Sequence, residues 1–150
     1  MAKISGIRLI TAERKRQIEK EGWSLNHDLE EHSEGDLALA AICYATPVRI
    51  FERINYAHGI NFVDPWPFDG MWDKRFCYGE RRENPGNVPP DPETYTKEER
   101  IDLLVKAGAL IAAEIDRLQG QEDSDERLKN LMESTAFSPI FGQHRSNTRV

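Results

Sequence analysis

Leu104-Val105-Lys106-Ala107-Gly108-Ala109-Leu110-Ile111-Ala112-Ala113-Glu114-Ile115-Asp116-Arg117-Leu118 is the stretch that decides the fold. Apolar residues recur every three or four positions, from Ile101 through Leu104, Val105, Gly108, Ile111 and Ile115 to Leu118, which is the period of a helix with one buried face. Just upstream, Thr96 and Glu99 stand three apart, the spacing of a capping box. A helix is therefore predicted over residues 97–118, with Gly120 as its stop. Its alanines 107, 109, 112 and 113 leave room for a second backbone to come close, and alanines 38, 40, 41 and 45 offer the same room in the segment from Leu37 to Ala45. These two helices are predicted to pack together at the centre.

Working outward, Ile7, Ile10, Arg14 and Ile18 share one face of a helix from Ile7 to Glu21, with Gly22 placed as a left-handed stop. Residues 24–32 are polar and fit either a helical turn or an ordered loop, since Ser24 and Asn26 can both cap. Ser33 with Asp36 resembles a capping box that opens the Leu37–Ala45 helix, and Pro47 interrupts it. Val48, Ile50, Phe51 and Ile54 suggest another helical stretch ending at Gly59, and a weaker helix is expected from Ser124 to Glu133. Phe137, Ile140 and Phe141 mark a tail expected to dock on the body or on another subunit. No run of alternating apolar and polar residues stands out as a strand, so the expected fold class is all-α: four to five helices with a long aromatic, proline-rich loop. Residues 1–120 are expected to form the helical domain, including the loop 60–95, and residues 121–150 the C-terminal helix and tail.

With 150 residues, one core can be buried without disulfide staples. The net charge of -6 and pI near 5.3 argue against coating nucleic acid, which takes a basic surface. No run approaches 18 apolar residues and Met1-Ala2-Lys3-Ile4 has no signal core, so a cytoplasmic protein without membrane partners is expected. Two cysteines, Cys43 and Cys77, make no disulfide framework and read as free thiols. Exposed aromatics imply a homo-oligomer.

Six of the eight prolines and seven of the thirteen aromatics lie between Ile60 and Tyr95, too many for a solvated linker, so the loop is expected to pack back over the helices with a mobile tip over 81–92. Pro65-Trp66-Pro67-Phe68-Asp69-Gly70-Met71-Trp72 can stack on a planar ring or simply lid the core. Segment 3–21 has six basic and three acidic residues, whereas 24–36 has five acidic and none basic, so the two should attract. Arg14 and Arg16 either make those salt bridges or grip a phosphate. His27, Asp28, Glu31 and His32 pair at i, i+4 spacing if helical and either form a capped surface cluster or hold a divalent metal. Lys106 either snorkels or lies buried in the long helix. The candidate ligand-binding residues are Arg14, Arg16, Trp23, His27, Asp28, Trp66 and Lys106, with no catalytic residue assigned.

Glu13-Arg14-Lys15-Arg16-Gln17-Ile18, Glu21-Gly22-Trp23, His27-Asp28, Gly35-Asp36-Leu37-Ala38, Trp66-Pro67-Phe68 and the 104–118 stretch occur in order, and together they resemble a family of small proteins common in phages and prophages. The resemblance covers about residues 7–118 and implies no set activity. The segment after Trp66-Pro67-Phe68 and the tail after Leu118 depart from the pattern and are candidates for adapting a ligand or partner site. Trp72, Arg75, Tyr78-Gly79 and Arg82 are also faintly similar to the helical repeat domain of ryanodine receptors, which implies nucleotide contact. A phage context suggests three classes of role, and the expected one is binding and sequestration of a small anionic, nucleotide-like ligand, such as a host defence signal, without a cofactor. One alternative is an all-α nucleotide pyrophosphohydrolase using Mg²⁺, for which Glu31 and Glu34 form one ExxE but Glu114 and Asp116 stand two apart where three are needed. Another is a protein-binding inhibitor.

Overall fold

The computed structural model describes residues 2–79 and 88–136. Four helices and one hairpin follow in chain order: α1 (Gly6–Glu21), α2 (Leu25–Glu31), α3 (Asp36–Ala45), β1 (Glu52–Tyr56), β2 (Gly59–Val63) and α4 (Lys97–Ala136), with short 3-10 turns at Gly70–Trp72, Lys74–Cys77 and Pro92–Thr94. The protein is mostly helical, but all-α is too strict.

α1 stops at Gly22, whose φ of 76° suits glycine best, and the amides of Gly22 and Trp23 both return to the Gln17 carbonyl. Ser24 then caps α2 by accepting from the His27 amide at 3.3 Å, so the polar segment is a helix. The Ser33–Asp36 capping box does not form. Gly35 takes the cap position at φ 81° with no side-chain bond, because a left-handed turn rather than an extended serine leads into α3. At the other end Pro47 restricts Thr46 to extended backbone, and Arg100 of α4 donates to the carbonyls of Tyr44, Ala45 and Thr46. A cation thus satisfies the orphan carbonyls of α3.

The helical stretch expected from Val48 to Gly59 does not form: residues 52–63 make an antiparallel hairpin instead, Glu52 opposite Val63 and Tyr56 opposite Gly59. Ile54, Tyr56, Ile60 and Phe62 alternate with other residues at period two, a strand signal that a helical reading of Val48–Ile54 passes over. Most hairpin side chains are exposed.

The core joins Leu37, Ala40, Ala41 and Tyr44 of α3 to Leu103, Ala107, Leu110 and Ala113 of α4, the close approach that the alanines permit. The buried face of α4 differs from expectation. Ile101, Leu104, Ile111, Ile115 and Leu118, predicted as the buried stripe, lie on the outside. Alanines take much of the inner face because α3 comes too close there for larger side chains. The Thr96–Glu99 capping box is present in both directions, at 2.8 and 3.2 Å. Gly120 does not stop the helix, and the separate helix expected over 124–133 is the continuation of α4. A Cβ at Gly120 would lie 3.3 Å from Leu25, so glycine serves the approach of α2 there.

The loop folds back over the helices as expected, with Trp66, Phe68, Tyr78 and Tyr95 against the core. Arg75, buried, fixes it by bonding Asp64 at 2.6 and 3.1 Å and Asp73 at 2.7 to 3.1 Å while lying 5.4 Å from the Trp66 ring centre. Part of the tip 81–92 and the aromatic tail 137–141 lie outside the described residues. Both cysteines are free, Cys43 buried and Cys77 exposed. Among the described residues no helix is long and apolar enough to cross a membrane.

Candidate functional site

α1 repeats at 3.6 residues per turn, so Glu13, Arg16, Gln17 and Glu21 lie along one side of it. That side borders a narrow cleft, partly open to solvent, with about 20 Å³ of free space inside, room for about one water. Trp23 enters from the Gly22 turn, Tyr44 from α3, Trp66, Phe68, Trp72 and Lys74 from the loop, and Lys106 and Leu110 from α4. All three tryptophans of the chain therefore meet here. Trp23 and Trp72 meet edge to face with ring centres 5.7 Å apart, and Trp66 sits between Tyr44 at 5.1 Å and Phe68 at 5.5 Å. The Tyr44 hydroxyl donates to the Trp72 carbonyl at 3.2 Å and accepts from the Lys74 amide at 3.1 Å, tying the loop wall to α3.

The charges are three cations and two carboxylates. Arg16 donates to both oxygens of Glu13 at 2.8 and 2.9 Å and to Glu21 at 2.9 Å. Lys106 reaches Glu13 at 3.3 Å and Asp102 at 3.5 Å. Burial pushes the Glu13 carboxyl up, but Arg16 and Lys106 outweigh it and hold the group below its ordinary value. Lys74 makes no ion pair among the described residues. Gln17 is 2% exposed, and its Oε1 is buried without a hydrogen-bond partner. Such an acceptor costs stability unless something donates to it.

Arg14 and Asp28 are elsewhere. Arg14 donates to Asp28 Oδ2 at 2.9 Å and to the Trp23 carbonyl at 3.0 Å, so it locks α1 to α2 and lines no part of the cleft. His27 Nδ1 is 3.4 Å from Asp28 Oδ1, and the His27 and His32 rings stand 5.2 Å apart. The His32 ring centre lies 4.9 Å from that of Phe68, a residue of the cleft wall. One ligand atom each of His27, Asp28 and His32 lies within 4.8 Å of the others, the one such group among the described residues. Zinc ligands sit about 3.3 Å apart, so the widest pair would have to close by up to about 1.5 Å. Arg14 already meets the Asp28 charge. Burial and His27 together lower the His32 pKa, and its Nδ1 is buried without a partner.

No match with known proteins is found: no family model fits the chain, and no curated protein or solved structure matches it. The site therefore rests on its own geometry. Of the sequence candidates, Arg16, Trp23, Trp66 and Lys106 come together in the cleft, whereas Arg14, His27 and Asp28 form the neighbouring α1–α2 lock. Gln17 and Lys74 complete the cleft without an assignment from sequence, and Trp72 joins them from the Pro65–Trp72 stretch read as able to stack on a ring or lid the core. Gln17 follows Glu13 by four residues on a helix and is within reach of a spacing argument. Lys74 and Trp72 depend on how the loop folds, which no local pattern specifies. Of the acids a hydrolase would need, Glu31 and Glu34 are exposed at the end of α2 and in the turn after it, and Glu114 is held by Arg117 at 2.9 Å.

Proposed function

We propose that the cleft binds a small anionic ligand with a flat ring, of nucleotide type, and holds it without turnover. The observation that carries this is the meeting of all three tryptophans beside Lys74 and Lys106. The interior admits a single polar group, so the ring lies at the mouth, where Trp72, 40% exposed, offers it a face. The buried Gln17 oxygen is an acceptor for one N–H that enters, directly or through the one water the cleft can hold, and Lys74 is a cation for phosphate. Arg16, engaged by two carboxylates, has the supporting task of setting the cleft wall. Under the resemblance to phage proteins, the role is sequestration of a nucleotide signal inside the host. The pyrophosphohydrolase reading is disfavoured because both cleft carboxylates are engaged by Arg16, leaving no free pair for Mg²⁺.

The test is calorimetry and tryptophan fluorescence against nucleoside monophosphates and cyclic nucleotides, followed by product analysis with Mg²⁺ present. Binding should quench tryptophan emission and weaken with salt. Lys74→Ala or Trp72→Ala should each lower affinity at least about tenfold, roughly 1.4 kcal/mol, with the helical CD spectrum retained. Absence of heat and quenching across the panel would remove the nucleotide reading, and steady pyrophosphate release would restore the hydrolase.

A further inference from the structure

We propose that the outer face of α4 is the contact between two copies of this chain. Ile101, Leu104, Ile111, Ile115 and Leu118 are 43 to 51% exposed, and with Gly108 between them they are spaced 3-4-3-4-3. That is the a/d repeat of a helix seam. It runs along the side of α4 turned away from the core, whose α4 members are Leu103, Ala107, Leu110 and Ala113. Ile10 of α1 rests on Gly108 and fills the one gap in the row. The groove beside it, between α1 and α4, extends the apolar strip through Ile10, Ile18 and Ala112 and is rimmed by Thr11, Arg14, Lys15 and Glu19. A lone exposed leucine means little, but a continuous apolar row about 25 Å long marks a covered surface.

Two features point to a second copy as the occupant. The first is symmetry: the 3-4-3-4-3 spacing reads the same in both directions. Two antiparallel copies related by a two-fold axis therefore bring Ile101 of one opposite Leu118 of the other, Leu104 opposite Ile115, and Ile111 opposite the Gly108 position that Ile10 covers. Every large side chain of the row then meets an apolar partner, which an unrelated surface would have to supply independently. The second is area. The five side chains of the row, with exposed Ile7 and Ile18 of α1, offer roughly 700 Å² per copy at about 100 Å² each, close to the roughly 800 Å² per partner of a standard interface.

Sedimentation velocity of the full chain should give the dimer mass at micromolar concentration. The double variant Ile111→Glu, Ile115→Glu should sediment as a monomer with the CD spectrum of the parent, because both side chains are half exposed in one copy. Should that variant fail to fold, Leu104→Lys alone should weaken association at least about tenfold. A parent chain that stays monomeric to high micromolar concentration overturns the proposal, as expected if another protein or residues 137–150 cover the face. A folded variant that still dimerises as the parent does overturns it too, since the contact would then lie on another face.

Discussion

Arg14 and Asp28 show what a charge does when two elements close over it. The Asp28 carboxylate is 1% exposed, and its partners are the Arg14 guanidinium at 2.9 Å and His27 at 3.4 Å. Removing one member of such a pair leaves the other charged and dry, which costs far more than the pair contributes. Arg14→Ala should therefore lower stability by about 3–5 kcal/mol in urea titration. Lys15 and Glu19 on the same helix are 72% and 56% exposed, so Lys15→Ala should change it little. A loss for Arg14→Ala as small as that for Lys15→Ala would show that water reaches Asp28 and that the lock between α1 and α2 is not closed.

At the scale of elements, the glycines in α4 record where other elements cross it. A Cβ at Gly108 would lie 2.6 Å from Ile10 Cδ1 and 2.8 Å from its Cγ1, so α1 packs on bare backbone there. Gly108→Leu should displace Ile10 and cost roughly 1–3 kcal/mol, read as a lower melting temperature, and an unchanged melting temperature would mean that α1 does not rest on Gly108. The Gly22 stop, the Thr96–Glu99 box and the pairing of α3 with α4 are all legible in the sequence, because each depends on residues a few positions apart or on side-chain size. The exposed row of α4 is not legible as such, because periodicity reports an apolar face without saying what covers it. Gly120 looks like a stop until the packing of Leu25 and Leu29 shows its use. The hairpin is hidden where apolar residues at 48, 50, 51 and 54 mimic a helical spacing. In the cleft, Arg16, Trp23, Trp66 and Lys106 are legible as residue types that bind anions and rings, whereas the Asp64–Arg75–Asp73 clamp that positions the loop joins residues with no local signature.

The whole molecule titrates on both sides of neutrality, and the signs follow from which state holds the proton. His32 has a folded pKa below its ordinary value of 6.5 because burial and His27 oppose its charge. As pH falls below that value the unfolded chain takes up a proton that the folded chain resists, so stability is lost on acidification. Glu13, held below its ordinary 4.5 by Arg16 and Lys106 despite burial, extends the loss at lower pH, since its contribution disappears as pH falls through its folded pKa. On the alkaline side, burial pushes the Cys43 thiol from 9.0 up to about 11. Between those values the unfolded thiol gives up a proton that the folded one keeps, so stability falls as pH rises. The melting temperature should thus be flat between about pH 7 and 8.5 and fall on either side. His32→Phe should flatten the limb just below the ordinary histidine value, and Cys43→Ala the first part of the alkaline limb, each without moving the other. Above the ordinary tyrosine value of 10.0, Tyr44, Tyr78 and Tyr95, all raised by burial, add to that alkaline limb. A melting temperature unchanged from about pH 7 to 5.5 would show that His32 charges as readily in the folded chain as in the unfolded one, and that the wall between the histidine cluster and Phe68 is open to water.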